Sequence, residues 1–187
     1  VSSTTVVVTG IHQEELAFGD RVTDRLDPED VDVLRIPEGV PQRCTDVDQQ
    51  FRYEARQREL YLQLHRQVKG RYGLLIDLHS GFDENGPGAD VYCHDAALLD
   101  CLRSRLAPTL AVRLVRIIAP DDPVPDRNDD SGAETGARTC IPSSVWGSAR
   151  PLYVGLEIYL PDSESGRDAE TLAKHLIGCI QACAIGT

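Results

Sequence analysis

Two histidines and a glutamate stand at the ends of apolar runs of the chain. His79 closes the run LLIDLH inside LLIDLHSGF, residues 74–82, and enters a Ser-Gly pair, while His12 and Glu15 come just after the run VVVTG near the front of the chain. The carboxyl ends of strands are where open α/β sheets carry their ligands. Two imidazoles and one carboxylate form a set that binds zinc and leaves a fourth position open for water, so His12, Glu15 and His79 point to a metal-dependent hydrolase. His-x-x-Glu spacing alone is weak evidence. Its bland alternative is a solvated helix start, with Glu15 favoured by the helix dipole; the equivalent placement of His79 on a second strand favours the metal.

Two further carboxylates sit in apolar surroundings. Asp77 precedes His79 by two residues, so on a strand both side chains share one face. A carboxylate inside LLIDLH is costly to bury without partners. Orienting a metal-bound imidazole supplies one; a structural hydrogen bond to a nearby loop is the alternative. Glu157, inside LYVGLEIYL, is placed to act as general base and then proton donor, with a pKa raised by burial. Its alternative is an outward-facing glutamate on an edge strand. Tyr153 and Tyr159 flank it, and core packing is the preferred reading for both over an oxyanion-binding role.

Composition sets the frame for these residues. A chain of 187 residues suits one domain with a real core. Its 41% hydrophobic and 26% charged residues are globular in character, and no apolar run approaches the roughly 20 residues needed to span a bilayer. No signal peptide is visible, although a chain that starts at Val1 and lacks Met leaves a removed targeting segment open. A formal charge of −11 repels phosphate backbones and argues against nucleic acid. Six cysteines without a CxxC make a zinc knuckle or a disulfide scaffold unexpected. Cys179 and Cys183, four apart, read as core filling on a helix, and a reduced cytoplasmic protein is expected. His65, His94 and His175 read as structural or solvated. Gly-x-Ser-x-Gly, phosphate-loop and dinucleotide fingerprints are all missing.

Apolar strands alternate with helical spacing, which predicts a sheet covered by helices on both faces. Strands are expected at Val6 to Thr9, Val31 to Ile36, Gly73 to Leu78, near Val91, at Val112 to Ile118 and at Leu152 to Leu160. Helices are expected after His12 through about Leu26, over Asp48 to Val68 with the stripe Phe51, Ala55, Leu60, Leu64 and Val68, over Ala96 to Leu106, and from about Asp168 to Ala184. Residues 119–138 show no periodicity, and a loop of that length is either functional or disordered.

In their order along the chain these residues resemble the zinc carboxypeptidase clan, especially its short branch of succinylglutamate desuccinylases and aspartoacylases. Gly10-Ile11-His12-Gln13-Glu14-Glu15 matches that branch's Gly-x-His-x-x-Glu, Asp77-Leu78-His79 its Asp-Leu-His, and Glu157 its late catalytic glutamate. The resemblance implies a single domain with a three-layer α/β/α fold and a mixed, mostly parallel sheet. It also implies Zn2+ and cleavage of an amide bond in a small N-acyl amino acid or short peptide. The family's Asp-Leu-Asn-Arg-x-Phe element departs here to Asp46-Val47-Asp48-Gln49-Gln50-Phe51. Gln49 replaces an arginine whose fork grips the substrate carboxylate, and an amide cannot supply that charge. Arg43, Arg52, Arg138 and Arg150 are the candidate replacements. Related enzymes cover the site with a loop before the glutamate strand, which makes 121–138 a candidate lid. An N-formylglutamate amidohydrolase-like enzyme is the nearest alternative, because its Asp-x-His-Ser resembles Asp77-Leu78-His79-Ser80. A catalytically silent relative with a binding role is the alternative from another class.

Overall fold

The computed structural model describes residues 4–41, 47–119, 135–161 and 166–184. Its centre is built from runs that are apolar on both faces, the mark of parallel strands sandwiched between helices. β1 (Thr5–Thr9, TVVVT) is buried throughout. It lies between β2 (Val31–Arg35) and β3 (Leu74–Phe82), and β3 pairs in turn with β7 (Leu152–Leu160), all parallel. β4 (Gly88–Cys93), β5 (Val112–Ile117) and β6 (Thr135–Ala137) run parallel to one another and opposite to the first group, joined to it by the antiparallel β4–β7 pairing. Among the described residues the sheet has seven strands in the order β2-β1-β3-β7-β4-β5-β6. This is the mixed, mostly parallel sheet that the family resemblance implies.

Strand alternation sorts the side chains into two cores. Ile76 and Leu78 of β3, with Val154, Leu156 and Ile158 of β7, pack beneath α1 (Leu16–Thr23), α3 (Ala96–Arg105) and α5 (Gly166–Ala184). On the other face Val6, Val8, Leu75 and Tyr153 pack against α2 (Val47–Val68) and α4 (Ser143–Trp146). Asp77, His79 and Glu157 alternate in step with Leu75 and Tyr153, so they belong to the α2 side. His79 is the register partner of Glu157.

Several elements differ from expectation for identifiable reasons. β3 does not stop at Leu78; Ser80 and Gly81 continue the ladder opposite Ile158 and Tyr159, because β7 is long enough to template them. The segment after His12 opens with a 3-10 turn (Gln13–Glu15) before α1, which ends at Thr23. α2 buries Gln57, Tyr61, Leu64, His65 and Val68, whereas Ala55 is exposed. Its inward face therefore carries polar groups that an apolar stripe could not reveal. β6 and α4 are too short for periodicity to detect.

Cysteine usage also differs. Cys183 is buried as expected, yet it forms a disulfide with Cys101, tying α5 to α3, so a wholly reduced chain is not what the structure holds. Among the described residues no helix is long and apolar enough to cross a membrane.

Candidate active site

The first part of the site is a turn that only glycine permits. Gly10 leaves β1 with a φ of 86°, and a Cβ there would lie 2.5 Å from the carbonyl oxygen of Ile36. His12 then pairs with Val40 in an isolated bridge, the Gln13 amide donates to the Val40 carbonyl at 3.0 Å, and the Gln13 side chain donates to the Gly39 carbonyl at 2.7 Å. So anchored, the 3-10 turn aims Glu15 inward, where it is only 3% exposed. A solvated helix start is thereby ruled out for Glu15.

β3 brings His79 to meet it. Nδ1 of His79 lies 2.8 Å from Oε2 of Glu15, and Nε2 lies 3.0 Å from Oδ2 of Asp77. Asp77 is fully buried, and the same Oδ2 accepts hydrogen bonds from the hydroxyls of Tyr61 and Tyr153, each at 2.8 Å. Its partners are thus His79 and two tyrosines rather than a loop. The rings of His12 and His79 are 5.3 Å apart between centroids. Potential donor atoms of His12, Glu15 and His79 all fall within 4.8 Å of one another.

Electrostatics reflect this crowding. Burial pushes His79 down, but the charge and hydrogen bond of Asp77, reinforced by Glu15, raise it well above its ordinary value. Burial pushes Asp77 up, and His79 with the two tyrosine hydroxyls outweighs that and holds it below the ordinary carboxylate value. His12 is lowered, chiefly by burial and partly offset by Glu15. Its Nδ1 is buried without a hydrogen-bond partner among the described residues. A buried polar atom left open in this way is uncommon, and beside one carboxylate and a second imidazole it fits the nitrogen-and-oxygen donor set of zinc.

Glu157 sits on β7, which is central rather than an edge strand. Burial raises its pKa to about 7, with His79 opposing and Glu15, Asp77 and Asp90 adding to the rise. Space for its carboxylate comes from Gly81, where a Cβ would stand 2.8 Å from Oε1. Asp90, the register partner of Glu157 on β4, is satisfied separately. It accepts from Arg113 Nε at 3.0 Å, from the other Arg113 nitrogen that completes a fork, from Tyr92 at 2.9 Å and from Tyr159 at 3.0 Å. Tyr159 therefore uses its hydroxyl on Asp90, and Tyr153 packs in the core with its hydroxyl on Asp77.

A cavity of about 340 Å3 opens over these groups, lined among others by His12, His79, Glu157, Tyr92, Arg138 and Cys140. Among the described candidate cations, Arg138 reaches the cavity. Arg52 is exposed on α2 and does not line it, and Arg150 lines a different cavity with Thr4, Thr5 and Gly73 at the other end of the strands. Arg43 and the side chain of Gln49 lie outside the described residues, as does 121–134 of the candidate lid. Tyr61, Gly81, Asp90 and Tyr92 are site residues that sequence reasoning passes over. Only Asp90, a carboxylate inside the strand GADVYC, carries the kind of signal that marks Asp77.

The sequence matches no family profile and no curated protein. Solved structures resemble it in shape. One is the catalytic domain of CwlV, an N-acetylmuramoyl-L-alanine amidase from Bacillus (Paenibacillus) polymyxa var. colistinus, with a TM-score of 0.46 and 13% identity over 98% of this chain and 96% of that one. A single-residue mutant of murine aminoacylase 3 gives a TM-score of 0.49 and 13% identity, over 98% of this chain and 64% of that one. A metallo-carboxypeptidase from Burkholderia cenocepacia gives 0.45 and 12%, over 99% of this chain and 56% of that one. This chain therefore spans less than two thirds of the aminoacylase and of the carboxypeptidase. At this level of likeness the functional reading has to come from the site's own geometry.

Proposed function

We propose that this chain is a zinc-dependent hydrolase of amide bonds in small N-acyl amino acids or short peptides. The observation that carries the reading is the meeting of His12, Glu15 and His79, with donor atoms within 4.8 Å of one another, beside a cavity that His12, His79 and Glu157 line. A zinc ion held by His12, Glu15 and His79 would supply Lewis acidity, polarising a carbonyl and lowering the pKa of a water toward about 7. Glu157 takes the proton of the attacking water and passes it to the leaving nitrogen; a pKa of about 7 suits both directions of transfer. Asp77 holds Nε2 of His79, which leaves Nδ1 toward Glu15 and the shared site. Arg138, exposed at the cavity wall, pairs with the substrate's carboxylate in the role left vacant by Gln49. A cavity of about 340 Å3 limits the substrate to a small molecule or the end of a peptide.

Elemental analysis and a substrate panel test this. About one zinc per chain is expected, lost in His12→Ala and His79→Ala. Turnover of N-acetylaspartate, N-succinylglutamate, N-formylglutamate or a short peptide is expected in the wild type and abolished in Glu157→Gln, which keeps its zinc. A zinc-loaded wild type that cleaves none of the four would overturn the enzymatic reading.

A further inference from the structure

We propose that Tyr61 and Tyr153 are positioning residues for the metal centre, a pair of hydroxyls that clamp Asp77 and through it set the orientation of His79. The inference rests on the metal site proposed above. Three donors converge on one oxygen of Asp77: Tyr61 and Tyr153 at 2.8 Å each, and Nε2 of His79 at 3.0 Å. They come from three elements, α2, β7 and β3, so the carboxylate is fixed by a frame that no single element provides. Each hydroxyl has its hydrogen committed, because an ionised carboxylate only accepts. Tyr61 also lies 3.4 Å from Nε2 of His79, close enough to wall the imidazole into one ring position. The other oxygen, Oδ1, is buried with no partner among the described residues, so all the anchoring of Asp77 passes through Oδ2.

The consequence for His79 is directional. With Nε2 committed to a carboxylate that cannot swing away, Nδ1 is the nitrogen presented toward Glu15 and the shared site. Core packing alone does not require the two tyrosine oxygens, since phenylalanine would fill the same apolar volume.

The test uses Tyr61→Phe and Tyr153→Phe, which keep the rings and remove only the hydroxyls, with Tyr92→Phe as the control. Tyr92 lines the same cavity but gives its hydroxyl to Asp90. Zinc dissociation constants are measured by competition with a chromophoric chelator, and the visible spectrum of the cobalt-loaded protein is recorded. Each clamp variant is expected to bind zinc about 10- to 100-fold more weakly and to shift the cobalt bands, while Tyr92→Phe does neither. If either clamp variant proves poorly folded, the other and Asp77→Asn carry the test by the same two readouts. Clamp variants with wild-type zinc affinity and cobalt spectrum would overturn the clamp and leave the metal site standing. A wild type that takes up neither metal would overturn both.

Discussion

Replacing Glu157 with glutamine should make the metal-free protein more stable, and by an amount that depends on pH. Burial raises the Glu157 carboxyl from its ordinary 4.5 to about 7, because the folded site disfavours its charge. For an acid whose folded pKa is raised, the cost is absent below the unfolded value and complete above the folded one, so wild-type stability falls as pH climbs from about 4.5 to about 7. Each pKa unit is worth about 1.4 kcal/mol, which sets a cost of at most about 3.5 kcal/mol at pH 8 and under about 1 kcal/mol at pH 5. Glutamine has nearly the same shape and no charge to lose, so the variant escapes the fall. Urea unfolding of chelator-treated wild type and Glu157→Gln at the two pH values measures the difference directly. A gain that is the same at pH 5 and pH 8 would refute the electrostatic account and leave only a packing effect. Zinc should shrink the gain at pH 8, because a nearby cation favours the carboxylate.

Zinc binding near pH 7 should release at least one proton, since His79 is raised well above its ordinary value and must give up the proton on its ligating nitrogen, and Glu157 adds to the release as the cation favours its carboxylate; calorimetric heats that do not vary with the buffer's ionisation enthalpy would exclude this. Gly81→Ala puts a Cβ 2.8 Å from Oε1 of Glu157, the free end of a flexible side chain. The protein should therefore fold and hold zinc, with kcat down by about 100-fold from a carboxylate displaced by about 1 Å; an unchanged kcat would show that the place of Glu157 is not set by Gly81. Opening the Cys101–Cys183 disulfide, which links residues 82 apart in sequence, should lower stability by up to about 4 kcal/mol. Denaturation of Cys101→Ala or of the reduced wild type checks this, and an unchanged midpoint would count against a staple between α3 and α5.

Most of the sheet can be read from the chain because its central strands are mainly apolar runs bounded by glycine and polar turns. β7 falls on the residues its composition predicts, and β1 and β5 are off by one residue at an end. Where reading fails, the cause is pairing rather than propensity: Ser80 and Gly81 look like a turn and are strand because β7 lies beside them. The site divides along the same line. His12, Glu15, His79, Asp77 and Glu157 announce themselves as charged or ligating groups where apolar residues would cost less. Tyr61 does not, since a tyrosine in a charged helix looks like any half-buried aromatic until Asp77 is known to lie 2.8 Å from its hydroxyl. Arg113 is hidden for the opposite reason, because an arginine on a strand signals solvent until the fork to Asp90 is seen.

The arrangement also explains why so many acidic groups can share one strand end. Asp90 is neutralised locally by Arg113 and two tyrosines, which leaves it a satisfied neighbour rather than a second centre. Glu15 and Asp77 both contact His79, and Glu157 faces the same imidazole from the next strand. Buried carboxylates cost several kcal/mol each unless paired, and Asp77 meets that cost with His79 and two tyrosine hydroxyls. Glu157 answers by holding its proton to about pH 7, and His79 by keeping its own. The pH-dependent gain of Glu157→Gln and the proton lost from His79 are then two faces of one crowding of acidic groups around a single imidazole, where a divalent cation among His12, Glu15 and His79 would add positive charge.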